Sequence, residues 1–206
     1  MKKKSTNLFY PLIVMGFAVI LIASCKKKDD TSSTTATTTP PTIAIGQSYA
    51  GGVIAYILQS GDAGYVAGQV HGLIASTTDV SSGIQWYNGS GIKAGASGVA
   101  IGTGSANTTA IVNAQGTGSY AAQLCKSLTT CGYTDWYLPS KEELDTLYAH
   151  KSAIGGFTAT CYWSSTEYNP SPSGNAWYYD IPISASSYNM YGNKANTYAV
   201  RAVRSF

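Results

Sequence analysis

Charge is scarce in this chain. Asp, Glu, Lys and Arg together make up 11% of the 206 residues, and there are only two histidines. The formal charge of +3 does not describe the folded part. Six of the 13 basic residues are Lys2, Lys3, Lys4, Lys26, Lys27 and Lys28, which leaves seven; removing Asp29 and Asp30 from the ten acids leaves eight. A remainder with a balance of −1 has no broad positive field, which excludes general nucleic-acid binding. Four cysteines are too few for a disulfide-dense scaffold. Collagen-type Gly-x-y repeats are missing, and only one long apolar run occurs. What is plentiful is glycine, with 22 residues, and tyrosine, with 16, a composition of short strands, turns and aromatic surfaces rather than of a helical bundle.

The apolar run lies at the N-terminus. Lys2, Lys3 and Lys4 precede Leu8 to Ala23, which is shorter than the about 20 residues of a spanning helix and has the order of a signal peptide. It ends in Ile22-Ala23-Ser24-Cys25, which resembles a bacterial lipobox. The expectation is a signal peptide over 1–24 and a lipidated Cys25, with two or three acyl chains giving stable membrane anchoring. Lys26-Lys27-Lys28-Asp29-Asp30 resembles the signal that sends some lipoproteins to the outer face of the outer membrane. Residues 25–42, Ser/Thr-rich and closing on Pro40-Pro41, read as a disordered tether. Its Thr31 to Thr42 stretch would reach roughly 40 Å at about 3.3 Å per residue. Residues 43–206 then form one domain of ordinary size.

Within that domain Gly52 to Leu58 and Gly72 to Ala75 read as strands. Ser90 to Gly104 is a run of Gly, Ala and Ser with few packing anchors. Asn107 is placed to cap a first helix, interrupted at Gly116 and Gly118 and resumed over Ser119 to Leu128. Ser140-Lys141-Glu142-Glu143 is a capping box opening a second helix, with Leu144, Leu147 and Tyr148 as its apolar face. Tyr162 to Thr166, Ala176 to Ile183, Tyr188 to Tyr191 and Tyr198 to Val203 read as strands. Strands, two main helices, then strands predict an α+β domain with a mostly antiparallel sheet.

The ordered set Gly132-Tyr133-Thr134-Asp135-Trp136-Tyr137-Leu138-Pro139-Ser140, Glu143-Leu144, Gly155-Gly156-Phe157, Tyr162-Trp163-Ser164-Ser165-Thr166-Glu167, Ala176-Trp177 and Val200-Arg201-Ala202-Val203-Arg204 resembles the Lcl C-terminal domain family. Upstream, His71-Gly72-Leu73-Ile74-Ala75 and Gly102-Thr103-Gly104 with Asn107-Thr108 fit the same family, so the resemblance spans nearly all of Gly51 to Phe206. It implies kinship with the C-terminal domain of a collagen-like bacterial adhesin that binds sulfated glycans and forms trimers. The Leu-Pro-Ser-x-x-Glu-Leu helix start and the closing Arg-x-x-Arg strand also resemble the C-type-lectin and formylglycine-generating-enzyme architecture. Without collagen repeats the trimer is not carried over, and homo-oligomerisation stays open.

The residues argue against an enzyme. His71 and His150 have no sequence neighbours that would make either a catalytic base, and Gly102-x-Gly104 lacks the third glycine and lysine of a phosphate loop. Glu167, Asn169 and Asp180 could offer oxygens to calcium, yet the run only superficially resembles a lectin loop, so neither a metal nor a cofactor is expected. Among the aromatics, Trp136 and Trp163 read as core, and Trp86, Tyr168 and Tyr188, in turn-rich segments, as surface rings for ligand binding. Cys125 and Cys131 are the candidate disulfide, leaving Cys161, although spacing does not exclude another pairing. Glu143, Arg201 and Arg204 read as structural. Three residues apart in a strand, the two arginines should face opposite ways, and the inward one needs a carboxylate such as Glu143 or Glu167. The reading that follows is a lipid-anchored, non-catalytic binding module for carbohydrate or extracellular matrix. The alternatives are a structural lipoprotein of an envelope complex or an enzyme related to formylglycine-generating folds.

Overall fold

The computed structural model describes residues 43–89, 91–168, 174–180 and 188–206, so Cys25 and the tether lie outside the described residues. The chain is α+β. Its strands are β1 (Ser48–Tyr49), β2 (Gly52–Ile57), β3 (Gly72–Ala75), β4 (Ser81–Gln85), β5 (Cys161–Glu167), β6 (Asn175–Asp180), β7 (Tyr188–Asn193), β8 (Thr197–Val200) and β9 (Val203–Ser205). Its helices are α1 (Gly104–Gln115), α2 (Ala121–Ser127), α3 (Lys141–Ala149) and α4 (Lys151–Ile154).

Two sheets result, in the orders β1-β2-β3-β9 and β4-β8-β5-β6-β7. Pairing is antiparallel except between β5 and β8, which run parallel at Tyr162 and Ala199. The expected single strand from Tyr198 to Val203 is in fact two. The chain leaves one sheet after Val200, passes through Arg201-Ala202, and joins the other at Val203. That junction sews the sheets together. Val203 also exchanges two backbone hydrogen bonds with Tyr137, just before the Leu138-Pro139-Ser140 approach to α3.

Trp86, Trp136 and Trp163 fill a core with Ile111, Tyr120 and Leu138, and all six are at most 1% exposed. Leu144 and Leu147 of α3 pack into a second cluster with Tyr162, Tyr179 and Val203. Full burial of an aliphatic side chain such as Leu147 contributes roughly 1.5–3 kcal/mol. The inward stripe of helix α1 includes the polar residues Asn107 and Thr108, so the helix carries no continuous apolar face. Thr108 Oγ1 donates to Leu138 O and accepts from Leu138 N, so its polarity is satisfied inside the protein.

Asn107 does not cap α1, which begins three residues earlier at Gly104. Its side chain instead grips the loop before the helix, accepting from Gly98 N at 3.0 Å and donating to Gly98 O at 2.6 Å. The capping box at α3 is present as expected, with Glu143 N donating to Ser140 Oγ and Ser140 N donating to the Glu143 carboxylate.

Candidate ligand-binding site

The glycine-rich segment before α1 has little apolar surface to bury, so its position must come from hydrogen bonds. Two buried carboxylates supply them. Glu167 accepts from Ala94 N, Gly95 N and Ala96 N and pairs with Lys194, whose side chain is 1% exposed. Burial alone would raise the Glu167 pKa, but Lys194 and these amides outweigh it and hold the carboxyl below its ordinary value. Glu143, wholly buried, accepts from Gly102 N at 2.8 Å and so brings a carboxylate to the N-terminus of α1, where it complements the helix dipole. Here burial wins over the hydrogen bonds and pushes the Glu143 pKa up. A Cβ on Gly104 would lie 2.2 Å from Glu143 Oε2, so only glycine fits.

These contacts commit Glu167 to Lys194 and backbone amides rather than to calcium. Asp180 accepts a thiol hydrogen bond from Cys161, and Asn169 lies outside the described residues. No group of three or more His, Cys, Asp or Glu placed to hold a metal occurs among the described residues.

The arginines depart from expectation. Both are buried, Arg201 at 0% and Arg204 at 8%, because the strand between them breaks. Their partners are Asp79 and Asp135, not Glu143 or Glu167. Arg201 also donates to Ser76 O and Gly155 O and lies over the Phe157 ring. Arg204 grips Asp135 through two nitrogens at 2.7 and 2.8 Å and lies over the Tyr133 ring.

The Cys125–Cys131 disulfide does not form. Cys125 is a free thiol on the buried face of α2, at 0% exposure, and Cys161 is also free. Burial turns the Cys125 side chain into the core, while Cys131 occupies a left-handed position, φ 53°, in the turn from Thr130 to Tyr133. Both histidines are tied into the scaffold. His71 has its ring nitrogens within hydrogen-bond distance of Phe206 O and Gln69 Oε1, and His150 forms the junction of α3 and α4. A cleft of about 330 Å³ lies beside His71, between Leu58, Ala63, Gly102 and Phe206.

Of the three expected surface rings, Trp86 is wrongly placed. It is 0% exposed, its Nε1 donates to Ser164 O, and Lys194 lies over its ring at 4.4 Å. Its turn-rich neighbours concealed this, because the buried ion pair is carried by residues distant in sequence. Tyr188 opens β7, but its side chain lies outside the described residues. Tyr168 is at the surface, in a group whose other members sequence reasoning did not assemble.

That group is an aromatic shelf. β6 pairs with β7 so that Trp177 sits directly across from Tyr191 and both point to one face. Tyr168, following β5, is held beside them by its backbone bond to Asn175 O. The Tyr168 and Tyr191 rings stack face to face, centroids 3.7 Å apart at 2°. Trp177 meets both edge-on, at 79° and 82°. Their hydrogen bond pushes the Tyr168 phenol pKa up. Tyr191 is 50% exposed. The start of α3 borders this corner: Lys141 Nζ lies 5.6 Å from the Trp177 ring centre, and Asp145 holds both Lys141 and Asn189 Nδ2, at 3.4 and 3.0 Å. The signal for the group was period-two alternation across β6 and β7, visible only once their register was known.

The chain matches the family model described as the Lcl C-terminal domain over residues 75–204, more than half of its length. No curated protein matches it. Among solved structures, a fimbrial protein from Bacteroides ovatus aligns with a TM-score of 0.47 and 17% identity. The alignment covers 74% of this chain and 43% of that one, so the chain spans less than half of that protein.

Proposed function

The chain belongs to the Lcl C-terminal domain family, and on that premise we propose that it is a surface-displayed, lipid-anchored module that binds carbohydrate or extracellular matrix without catalysis. Cys25 would carry the lipid, residues 26–42 would hold the domain off the outer membrane, and the domain would face the exterior. The observation that supports binding is the aromatic corner of half-buried Tyr168 and Trp177 with exposed Tyr191, bordered by the polar groups of Lys141 and Asn189. Aromatic rings left at a surface offer apolar area with little conformational freedom to lose, which favours recognition over simple solubility.

The test is a binding screen of the protein against immobilised glycans and matrix proteins, with mass spectrometry of membrane-extracted protein for acylation at Cys25. Acylated Cys25 and specific capture by a glycan or matrix protein are the expected results. Unmodified Cys25 would remove the anchor. A stable complex with another envelope protein, with no glycan or matrix capture, would replace this reading with a structural one.

A further inference from the structure

Resting on the binding-module reading, we propose that the Tyr168–Trp177–Tyr191 corner is a subsite for an uncharged pyranose chain, bound by ring stacking and read at its hydroxyls by Lys141 and Asn189. Three observations carry this.

The first is the shape of the corner. The Tyr168–Tyr191 stack and Trp177 present aromatic planes nearly at right angles, 79° and 82°. The two tyrosine rings cover each other on one face, and Tyr191 remains 50% exposed, which gives a ligand ring surface to reach. The C–H face of a pyranose is weakly positive and suits the negative face of an aromatic ring, while the second plane limits how the sugar slides. The rings already fix one another, so little rotamer entropy remains to be lost on binding.

The second is the polar border. Lys141 gives one contact to Asp145, and an ammonium has three donors, so others can meet ligand hydroxyls. The same oxygen, Asp145 Oδ2, also accepts from Asn189 Nδ2, which fixes the direction of that amide. Lys141 and Asp145 neutralise each other locally.

The third is where the positive charge of the domain goes. Of the seven basic residues after the tether, Lys141, Lys194, Arg201 and Arg204 are all in ion pairs. Lys194, Arg201 and Arg204 are also at most 8% exposed. A polyanion site needs several free cations converging on one surface, and here four of the seven are held in ion pairs, three of them buried. The ligand that fits the corner is therefore neutral, and its binding depends weakly on salt.

The experiment titrates the full chain with neutral β-1,4-linked glucose, β-1,3-linked glucose and β-linked galactose oligomers, and with a heparin-derived oligomer, at low and high salt. Trp86, Trp136 and Trp163 are at most 1% exposed, so ligand-dependent fluorescence reports Trp177. At least one neutral oligomer should bind, with affinity nearly equal at both salts. Trp177→Ala and Tyr191→Ala should each weaken it about tenfold or more, corresponding to roughly 1.4 kcal/mol. Tyr65→Ala removes an exposed ring in the β2–β3 connection and should bind like the parent, which separates the corner from unspecific ring contacts; melting curves of all variants separate stacking from misfolding. Binding of neutral oligomers unaffected by the alanine variants would overturn the subsite and leave the binding-module reading intact. Salt-sensitive binding to the heparin oligomer alone would overturn it as well. Failure of the full chain to bind any neutral oligomer, with matrix capture retained, would again sink the subsite alone; loss of both would sink the wider reading.

Discussion

Lys194 and Glu167 form an ion pair whose side chains are 1% and 4% exposed, and the same carboxylate holds the amides of Ala94, Gly95 and Ala96. Removing one partner of a buried pair strands the other without water. Lys194→Met should therefore cost about 3–5 kcal/mol, a drop in melting temperature of roughly 6–20 °C for a domain of this size. Hydrogen exchange should show the loop around Ala94 to Ala96 losing protection before the sheets do. A change within the error of the melt would mean that the pair is not buried as described.

Acid should act through the same carboxylate. Glu167 is held below its ordinary pKa, and Asp135 is held below its own chiefly by the Arg204 hydrogen bonds. Groups depressed in the fold contribute stability above their unfolded values, near 4.5 and 3.8, and lose it as pH falls through the folded values. Glu143 is raised and works the other way, becoming less unfavourable as it protonates. Stability should fall below about pH 4.5. In Glu167→Gln that acid loss should be smaller, from a lower starting stability at neutral pH. Urea midpoints from pH 3 to 7 would check this, and an equally steep acid loss in the variant would contradict it.

Arg201→Ala should be more damaging than Arg204→Ala. Arg201 is wholly buried with Asp79 at 6% exposure, whereas the Asp135 partner of Arg204 is 55% exposed and partly screened by water. Loss of Arg201 should cost about 3–5 kcal/mol, and loss of Arg204 clearly less. Denaturant midpoints of the two variants decide the order, and equal shifts would count against it.

Thiol chemistry should separate two cysteines. Cys161 is partly exposed and Cys125 is not. Burial raises both thiols, Cys125 far more, so in folded protein a maleimide should label Cys161 slowly, faster at alkaline pH, and leave Cys125 untouched until denaturant is added. Peptide mass spectrometry reads each site. Prompt labelling of Cys125 would place it at the surface.

How much of this was legible in the sequence depends on the range of the interaction. The box from Ser140 to Glu143 is local and was readable, as were the apolar strands at Gly52 and Gly72. The second duty of Glu143, at the start of α1, was not, because Gly102 lies 41 residues away. The same holds for Arg201 with Asp79 and for Lys194 with Glu167, where charge type was visible but partner was not. Trp86 misled for that reason: a polar, glycine-rich setting reads as surface unless one knows that Lys194 and Ser164 enclose the ring. The shelf required the β6–β7 register, which turn-rich flanking sequence does not specify.

The most direct test of the account is a glycan and matrix-protein array probed with the protein and with its Trp177→Ala variant, at low and high salt. Capture of the parent by a neutral glycan or matrix surface, little change with salt, and loss of most capture in the variant are expected. Equal capture of parent and variant, or capture by sulfated chains alone that disappears at high salt, would contradict it.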